Sequence, residues 1–281
     1  MSSASPLRPR WKEMRLGVSL ISLSLAAFCA IPAFGQMDAK AIMAGVYQQD
    51  NSHDLTLRAT MDITDKDGHT TRKRFVLRRI GSFGNGKTLV RFTDPQELRG
   101  VALLSLNQPG ITDRQWIYTP ATERVRAIAP RDRSERFAGS DFTYEDIAEH
   151  SLDDFTYELI PAGDMIDNHK SFKIVATPVA PDRSQYKYIY YWVAQDVPCI
   201  LHAEMYDQDG KKLREMHASG LRKQDGIWGP RKTEMRTVIE GTKTVLTIDE
   251  VHFNAGLDEA LFTPEALEKN PPEKSGGSER K

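Results

Sequence analysis

The side chains best suited to chemistry lie in the C-terminal half. His202-Ala203-Glu204 is followed by His217, with an Asp209-Gly210 turn between them. Alternate residues of a strand share a face, so His202 and Glu204 can point together with His217 in hairpin reach, a metal-like set. Polar residues on the solvent face of a sheet give the same pattern, and that plainer reading is the expected one. Asp141, Glu145 and Asp146 offer carboxylates. Acid/base work needs surroundings that push two pKa values apart, and the sequence supplies no apolar pocket to one and not the other. Solvated or helix-capping roles are expected, with Ser140-Asp141 as a turn or cap. The chain has no Gly-x-Ser-x-Gly elbow, no phosphate-cradling Gly loop and no Cys-x-x-Cys pair. No catalytic residue, metal or cofactor is expected.

The more informative side chains are apolar. Trp116, Tyr118, Phe142, Tyr144, Tyr157, Phe172, Tyr186, Tyr188, Tyr190 and Trp192 crowd the middle of the chain. Period-two spacing puts Tyr186, Tyr188, Tyr190 and Trp192 on one face. Such a strip is either core packing or the wall of a cavity. Each buried methylene contributes about 0.8 kcal/mol, so enclosing a sixteen-carbon chain would gain roughly 12 kcal/mol before ordering costs.

Strands must position these residues. Leu55, Leu57, Ala59, Met61 and Ile63 alternate before the Asp67-Gly68 turn, and Arg72 to Ile80 completes a hairpin. Strand-like runs follow at Thr88–Thr93, Val101–Leu106, Gln115–Tyr118, Arg124–Ile128, Thr156–Ile160 and Phe172–Ala176. Others are Tyr186–Val193, Ile200–Tyr206, Leu213–Ala218, Thr233–Val238 and Val245–Phe253. Roughly a dozen strands at this spacing predict an antiparallel meander, not alternating βα units. A helix is predicted over Asp38–Gln49, and a short one over Thr143–His150 inside the polar stretch Ala129–Leu152, which caps the sheet.

The ends carry other signals. Arg8, Arg10, Lys12 and Arg15 precede a 15-residue largely apolar run, Leu16 to Ala30, with Ala33 and Gly35 as small residues before a cut. Residues 1–35 are predicted to be a cleaved signal peptide, so that the mature chain begins at Gln36; Met14 would open a more compact signal. Cys29 follows Ala26, Ala27 and Phe28, a poor lipobox. Cys199 then stands alone, beside Pro198 and Ile200, and reads as a small apolar residue. Residues 36–269 form the predicted folded domain, and 270–281, rich in Pro, Gly, Ser and charge, a disordered tail. The 246-residue mature part carries 34 basic and 38 acidic side chains, a net charge near −4 that argues against a nucleic-acid partner. Nothing after the signal is a run of 18 apolar residues.

Three motif blocks are recognisable: Leu98-Arg99-Gly100-Val101-Ala102-Leu103-Leu104; Asp113-Arg114-Gln115-Trp116-Ile117-Tyr118-Thr119-Pro120 with Arg124 and Arg126; and Phe137-Ala138-Gly139-Ser140-Asp141-Phe142-Thr143-Tyr144-Glu145-Asp146. With Asp209-Gly210-Lys211, Trp228-Gly229-Pro230, Phe253-Asn254, Leu257-Asp258 and Leu261-Phe262, the chain resembles the outer membrane lipoprotein-sorting proteins from Leu55 to Leu267. Their fold is similar to that of the periplasmic lipoprotein carriers of the Lol system, LolA and LolB. The resemblance implies a mainly β protein, a half-open antiparallel barrel of about eleven strands with plugging helices around an interior that holds acyl chains. It also implies the periplasm of a Gram-negative bacterium, a lipid or lipoprotein cargo carried toward the outer membrane, a monomer, and an inner-membrane transporter of the resistance-nodulation-division (RND) superfamily as partner. It offers no catalytic residues. The alternative is a non-catalytic interaction module, or accessory protein of such a transporter, with a fully packed core. A hydrolase or metal enzyme centred on His202, Glu204 and His217 is the third and weakest reading.

For a cavity, the large apolar residues on predicted strands are Leu57, Met61, Val90, Phe92, Leu104, Trp116, Tyr118, Tyr188 and Tyr190. Gly139, Asp141, Phe142 and Tyr144 are read as its lid or cap, with Asp141 capping the helix. Alternation alone does not say which face is inward.

Overall fold

The computed structural model describes residues 38–108, 111–161 and 163–269. The predicted signal peptide and C-terminal tail lie outside these residues. α1 (Ala39–Gln48) opens the described chain, and the Asp38 side chain caps it by accepting from the Lys40 N–H. β1 (Asp54–Thr64), β2 (Thr70–Ser82), β3 (Asn85–Asp94), β4 (Ala102–Gln108), β5 (Ile111–Thr119) and β6 (Arg124–Ala127) follow as a meander. A connector containing the short α2 (Tyr144–Ile147) leads to β7 (Phe155–Ile160), β8 (Met165–Ile166) and β9 (His169–Pro178). β10 (Tyr186–Ala194), β11 (Ile200–Asp207) and β12 (Lys212–Ser219) come next, then the small β13 (Arg222–Gln224) and β14 (Ile227–Gly229) hairpin. β15 (Lys232–Thr237), β16 (Thr242–Phe253) and α3 (Pro264–Lys269) complete the fold.

One antiparallel sheet runs in the order β6-β5-β4-β3-β2-β1-β16-β15-β12-β11-β10-β9-β7, with β8 added beside β9 and β13–β14 separate. β1 pairs with β16 over ten residue pairs, so the first and last long strands meet in the middle. The edges β6 and β7 are consecutive in sequence and are not paired with each other. The sheet is therefore an unclosed barrel of thirteen strands along the path, two more than the resemblance implied. Its turns use the residues that the sequence marked. Gly81 needs its glycine twice over, since φ is +85° and a Cβ would run into the Asn85 carbonyl oxygen.

The inner face of the sheet is covered over both halves, the outer face over β3–β6. The inner face of β1–β5 and β16 packs Ala59, Met61, Phe75, Val90, Phe92 and Leu103 against Phe137 and Tyr144 of the connector. The inner face of β9–β12 and β15 packs Ala176, Ile189, Ala203, Met205 and Met235 against Phe155 and Tyr186. At that end α1 adds Ala39 and Met43, against Ile174 and Val193. On the outer face of β3–β6, the C-terminal segment lays Phe262 and Leu267 over Leu89, Ala102 and Leu104. Arg91 comes with them, donating to the carbonyls of Gly100 and Leu267.

Two expectations change. The aromatic strip is broken, because the register shifts between Tyr186 and Tyr188. That irregularity sends Tyr186 inward while Tyr188, Tyr190 and Trp192 face out, since one extra residue reverses the alternation. The predicted Thr143–His150 helix is one turn, Tyr144–Ile147, which stops where Ala148 turns extended at ψ 138°. Phe262 is 1% exposed under α3. Phe262→Ala is expected to cost about 3–5 kcal/mol by urea denaturation, from lost burial and the cavity left behind.

Candidate functional site

The edge strands follow one another in sequence, so the chain joining them, residues 128–154, must cross the open side of the sheet. It does so along the inner face. Ile128 starts it, its N–H donating to the Gln115 carbonyl on β5. Rings then step from sheet to connector: Phe75 to Phe92 at 5.8 Å, Phe92 to Phe137 at 5.4 Å, Phe137 to Tyr144 at 5.8 Å, tilted or edge-on as ring quadrupoles prefer. Ala138 and Gly139 turn the chain with φ of +51° and +70°. Phe142 follows, and its side chain touches the apolar groups of both halves of the inner face.

Polar anchors hold this path. Asp141 is fully buried at 0% exposure. Its carboxylate accepts from Thr237 at 2.7 Å, from Thr244 at 2.7 Å and from Thr242, the three threonines standing at the turn end of β15 and β16. Its N–H donates to Thr244 Oγ1 at 2.9 Å. Arg136 bonds Thr237, Thr242 and Glu240 at 3.2, 3.1 and 2.6 Å. Asp141 is thus no helix cap. Thr143 caps α2, in a capping box with Asp146, because it stands three residues before a carboxylate at the right dihedrals.

A second anchor follows five residues on. Asp146 accepts from the Tyr186 hydroxyl at 2.6 Å, and Arg214 donates to the same hydroxyl at 2.9 Å. Burial, then the Asp146 charge, push the Tyr186 phenol well above its ordinary pKa. The buried Glu145 accepts from the Ser184 hydroxyl and the Gln185 N–H at 2.5 and 3.0 Å, so neither it nor Asp146 is a solvated carboxylate. Further on, Glu149 accepts the Gly84 N–H at 3.0 Å, and burial raises its pKa.

The nine residues predicted for a cavity separate into three places. Leu57, Met61, Val90 and Phe92 meet on the inner face below the connector. Leu104, Trp116 and Tyr118 lie on the outer face under α3. Tyr188 and Tyr190 are also outside, ringed with Tyr206 at 4.8 and 5.7 Å, while Lys173 lies over Tyr190 and Trp192. Of the residues read as a lid, Tyr144 and Asp141 are buried, Phe142 is half-buried and Gly139 is exposed. Leu103, Ile117 and Leu246, which complete the inner face, went unselected. Leu103 could have been found from its register with Val90, once one inward residue was known.

The remaining candidates stay apart from the interior. His202 and His217 are cross-strand partners on the outer face, and burial lowers the His202 pKa. Glu204 is held by Lys212 at 2.6 Å and Tyr206 at 2.9 Å. Cys199 is buried, and burial pushes its thiol up, as for a small apolar residue. In the β1–β2 turn, Asp65, Asp67 and His69 bring ligand atoms within 4.8 Å, but Asp65 Oδ1 already accepts the N–H groups of Asp67 and His69.

Two outcomes follow. Asp141→Ala removes the acceptor shared by three threonine hydroxyls, two of them buried, and is expected to destabilise by about 3–5 kcal/mol in urea, with Asp141→Asn costing less. The Glu149 pKa is raised in the fold, so its ionised form opposes folding; the cost is absent below the unfolded value and grows as pH rises through the folded one. Glu149→Gln should therefore raise the urea midpoint at pH 8 and leave it unchanged near pH 4; equal gains at both would refute the assignment.

Comparison with known proteins gives this arrangement its relatives. A family model described as "Uncharacterized protein" matches residues 84–269. No curated protein matches. A candidate outer membrane lipoprotein-sorting protein domain from Vibrio parahaemolyticus superposes with a TM-score of 0.77 at 23% identity, over 82% of this chain and 98% of that one. A DUF1329 family protein from Desulfovibrio piger gives a TM-score of 0.77 at 26% identity, over 82% of this chain and 97% of the other. A LolA superfamily protein from Nitrosomonas europaea gives 0.65 at 18% identity, over 80% and 97%. The chain belongs to the family whose model spans residues 84–269, and its unclosed barrel has the LolA-like fold of the lipoprotein-sorting and DUF1329 proteins.

Proposed function

We propose that the protein is a non-catalytic periplasmic carrier that shields an acyl chain of a lipid or lipoprotein on its way toward the outer membrane. The observation that carries this reading is the inner face itself. Its apolar residues, from Leu57 and Met61 on β1 to Tyr157 on β7, are covered by a connector carrying Phe142 between them. A sheet covered by a single strand of chain can exchange that cover for another apolar group of similar volume without losing its own hydrogen-bonded frame. At about 0.8 kcal/mol per methylene, an acyl chain replacing Phe142 and its neighbours recovers the burial they give up. The Vibrio parahaemolyticus neighbour's description as a lipoprotein-sorting domain supports the same class of cargo. The proposal includes hand-over from an inner-membrane transporter of the RND type.

Native mass spectrometry with lipid extraction, on protein purified from the periplasm without detergent, tests it. A stoichiometric lipid is the expected result. A fluorescent fatty-acid analogue should bind purified protein, with affinity changed about tenfold by Phe142→Ala and left alone by Tyr190→Ala on the outer face, a shift of about 1.4 kcal/mol. Empty protein that also fails to bind the analogue would overturn the carrier reading and favour an interaction module.

A further inference from the structure

The apolar inner face gives way to a polar one within a single step along the strands. Leu77, Val90, Leu103 and Ile117 are opposed partners on β2, β3, β4 and β5, and all four belong to the core beneath the connector. Two residues along each strand, about 7 Å away, the next inward row reads Arg79, Thr88, Ser105 and Gln115. Ser105 and Gln115 are 5% and 2% exposed, and Thr88 is half-buried. Gln115 Nε2 donates to the Tyr144 carbonyl at 2.9 Å and to Ser105 Oγ at 3.2 Å, which fixes the orientation of the amide. Its Oε1 is equally buried and has no partner among the described residues. A buried acceptor left unpaired is costly, so an orphan inside the interior of a carrier points to a group that arrives with the cargo.

We propose that this row is the head-group subsite of the carrier, and that it takes a neutral, hydroxyl-bearing acyl lipid of the acylglycerol kind in preference to a fatty-acid anion. The inference rests on the carrier reading and names its cargo class. An acyl chain lying over the row from Leu77 to Ile117 puts its head one row further on. The orphan there is an acceptor, so the head must donate: a glyceryl hydroxyl does, a carboxylate does not. The hydroxyls of Thr88 and Ser105, which donate or accept by rotating, stand beside it in the row. Charge argues the same way. The row's cation, Arg79, is already engaged by Asp50 at 3.1 Å and by Ser52 Oγ at 2.8 Å, and its unpartnered Nε lies three strands from Gln115. Glu149 adds a second carboxyl at this end, packed so closely on Gly86 that a Cβ there would meet its Oε2 at 2.6 Å. Burial already raises the Glu149 pKa, and a fatty-acid carboxylate would bring a third carboxyl to one guanidinium. A neutral head brings no such penalty.

Displacement of the bound fluorescent fatty-acid analogue by monolaurin, methyl laurate and laurate, each below its micellar concentration, tests the subsite, because the three share one chain and differ in the head. Monolaurin is expected to bind at least about tenfold more tightly than either of the others, the scale of one buried acceptor satisfied. Methyl laurate is neutral but donates nothing, so it separates hydrogen bonding from charge. Gln115→Leu should remove the advantage of monolaurin over methyl laurate and leave the affinity for methyl laurate itself unchanged. Thr88→Val, which keeps the side-chain shape at a half-buried position, should reduce the same advantage and serves if Gln115→Leu fails to fold. Equal affinities for monolaurin and methyl laurate, a preference for laurate, or an undiminished monolaurin advantage in the variants would each overturn the proposal. Failure of the analogue itself to bind would sink the carrier reading and the subsite with it, whereas a bound analogue displaced equally by all three sinks the subsite alone.

Discussion

Asp141 is the interaction on which the rest of the interior depends. A carboxylate at 0% exposure is costly unless every lone pair is used, and three threonine hydroxyls with Arg136 use them. Thr237, Thr242 and Thr244 come from the last two strands, so the bond fixes the connector against the C-terminal hairpin before anything apolar is counted. Between Arg136 and Asp146 the connector has only a 3-10 turn at Phe137–Gly139 and the start of one α-helical turn, and its course is set by where its polar side chains find partners. Phe142 is placed as a consequence: its neighbours on both sides are pinned, to β15–β16 before it and to β10 and β12 after it.

The topology explains why a connector occupies the interior at all. β1 and β16 zip together in the middle of the sheet, which leaves β6 and β7 as the two edges. Those edges are joined by the longest stretch without a strand of the main sheet among the described residues. An open edge is a site for unwanted pairing, and a chain passing across it blunts that exposure while covering the apolar face. The outer face needs a different cover only over β3–β6, where alternation leaves Leu89 and Leu104 outside, and α3 supplies it. Elsewhere the outer face is aromatic and charged, with rings, lysines and carboxylates satisfied among themselves.

How much of this the sequence disclosed follows from the range of each interaction. Hairpins were legible because two-residue alternation and turn residues are local, and the β1–β2 pair lies where Asp67-Gly68 placed it. Inside and outside were not legible, because period two leaves each strand two equivalent faces, and the irregularity between Tyr186 and Tyr188 reverses the alternation there without a mark in residue type. The nine cavity candidates keep one face within each strand, and those of β4, β5 and β10 were taken from the outward one. Asp141 looked like a cap since its true partners lie about a hundred positions away, beyond any local pattern. α3 was missed although Thr263-Pro264 carries a cap and a first-turn proline, with the Thr263 hydroxyl accepting the Ala266 N–H.

The anchors also constrain how a carrier of this design can work. Moving the connector outward as a rigid flap would break the Asp141 bonds, the Asp146–Tyr186–Arg214 chain and the Glu145 bonds together, each leaving buried polar groups without partners at about 1–3 kcal/mol apiece. Rotating Phe142 about its own χ angles breaks none of them, since its contacts are apolar. On the carrier reading, cargo is therefore admitted by side-chain exchange between fixed polar posts, not by a hinged lid. A connector tied this way keeps the edges of the sheet at a constant separation whether the interior is filled by its own aromatic rings or by an acyl chain.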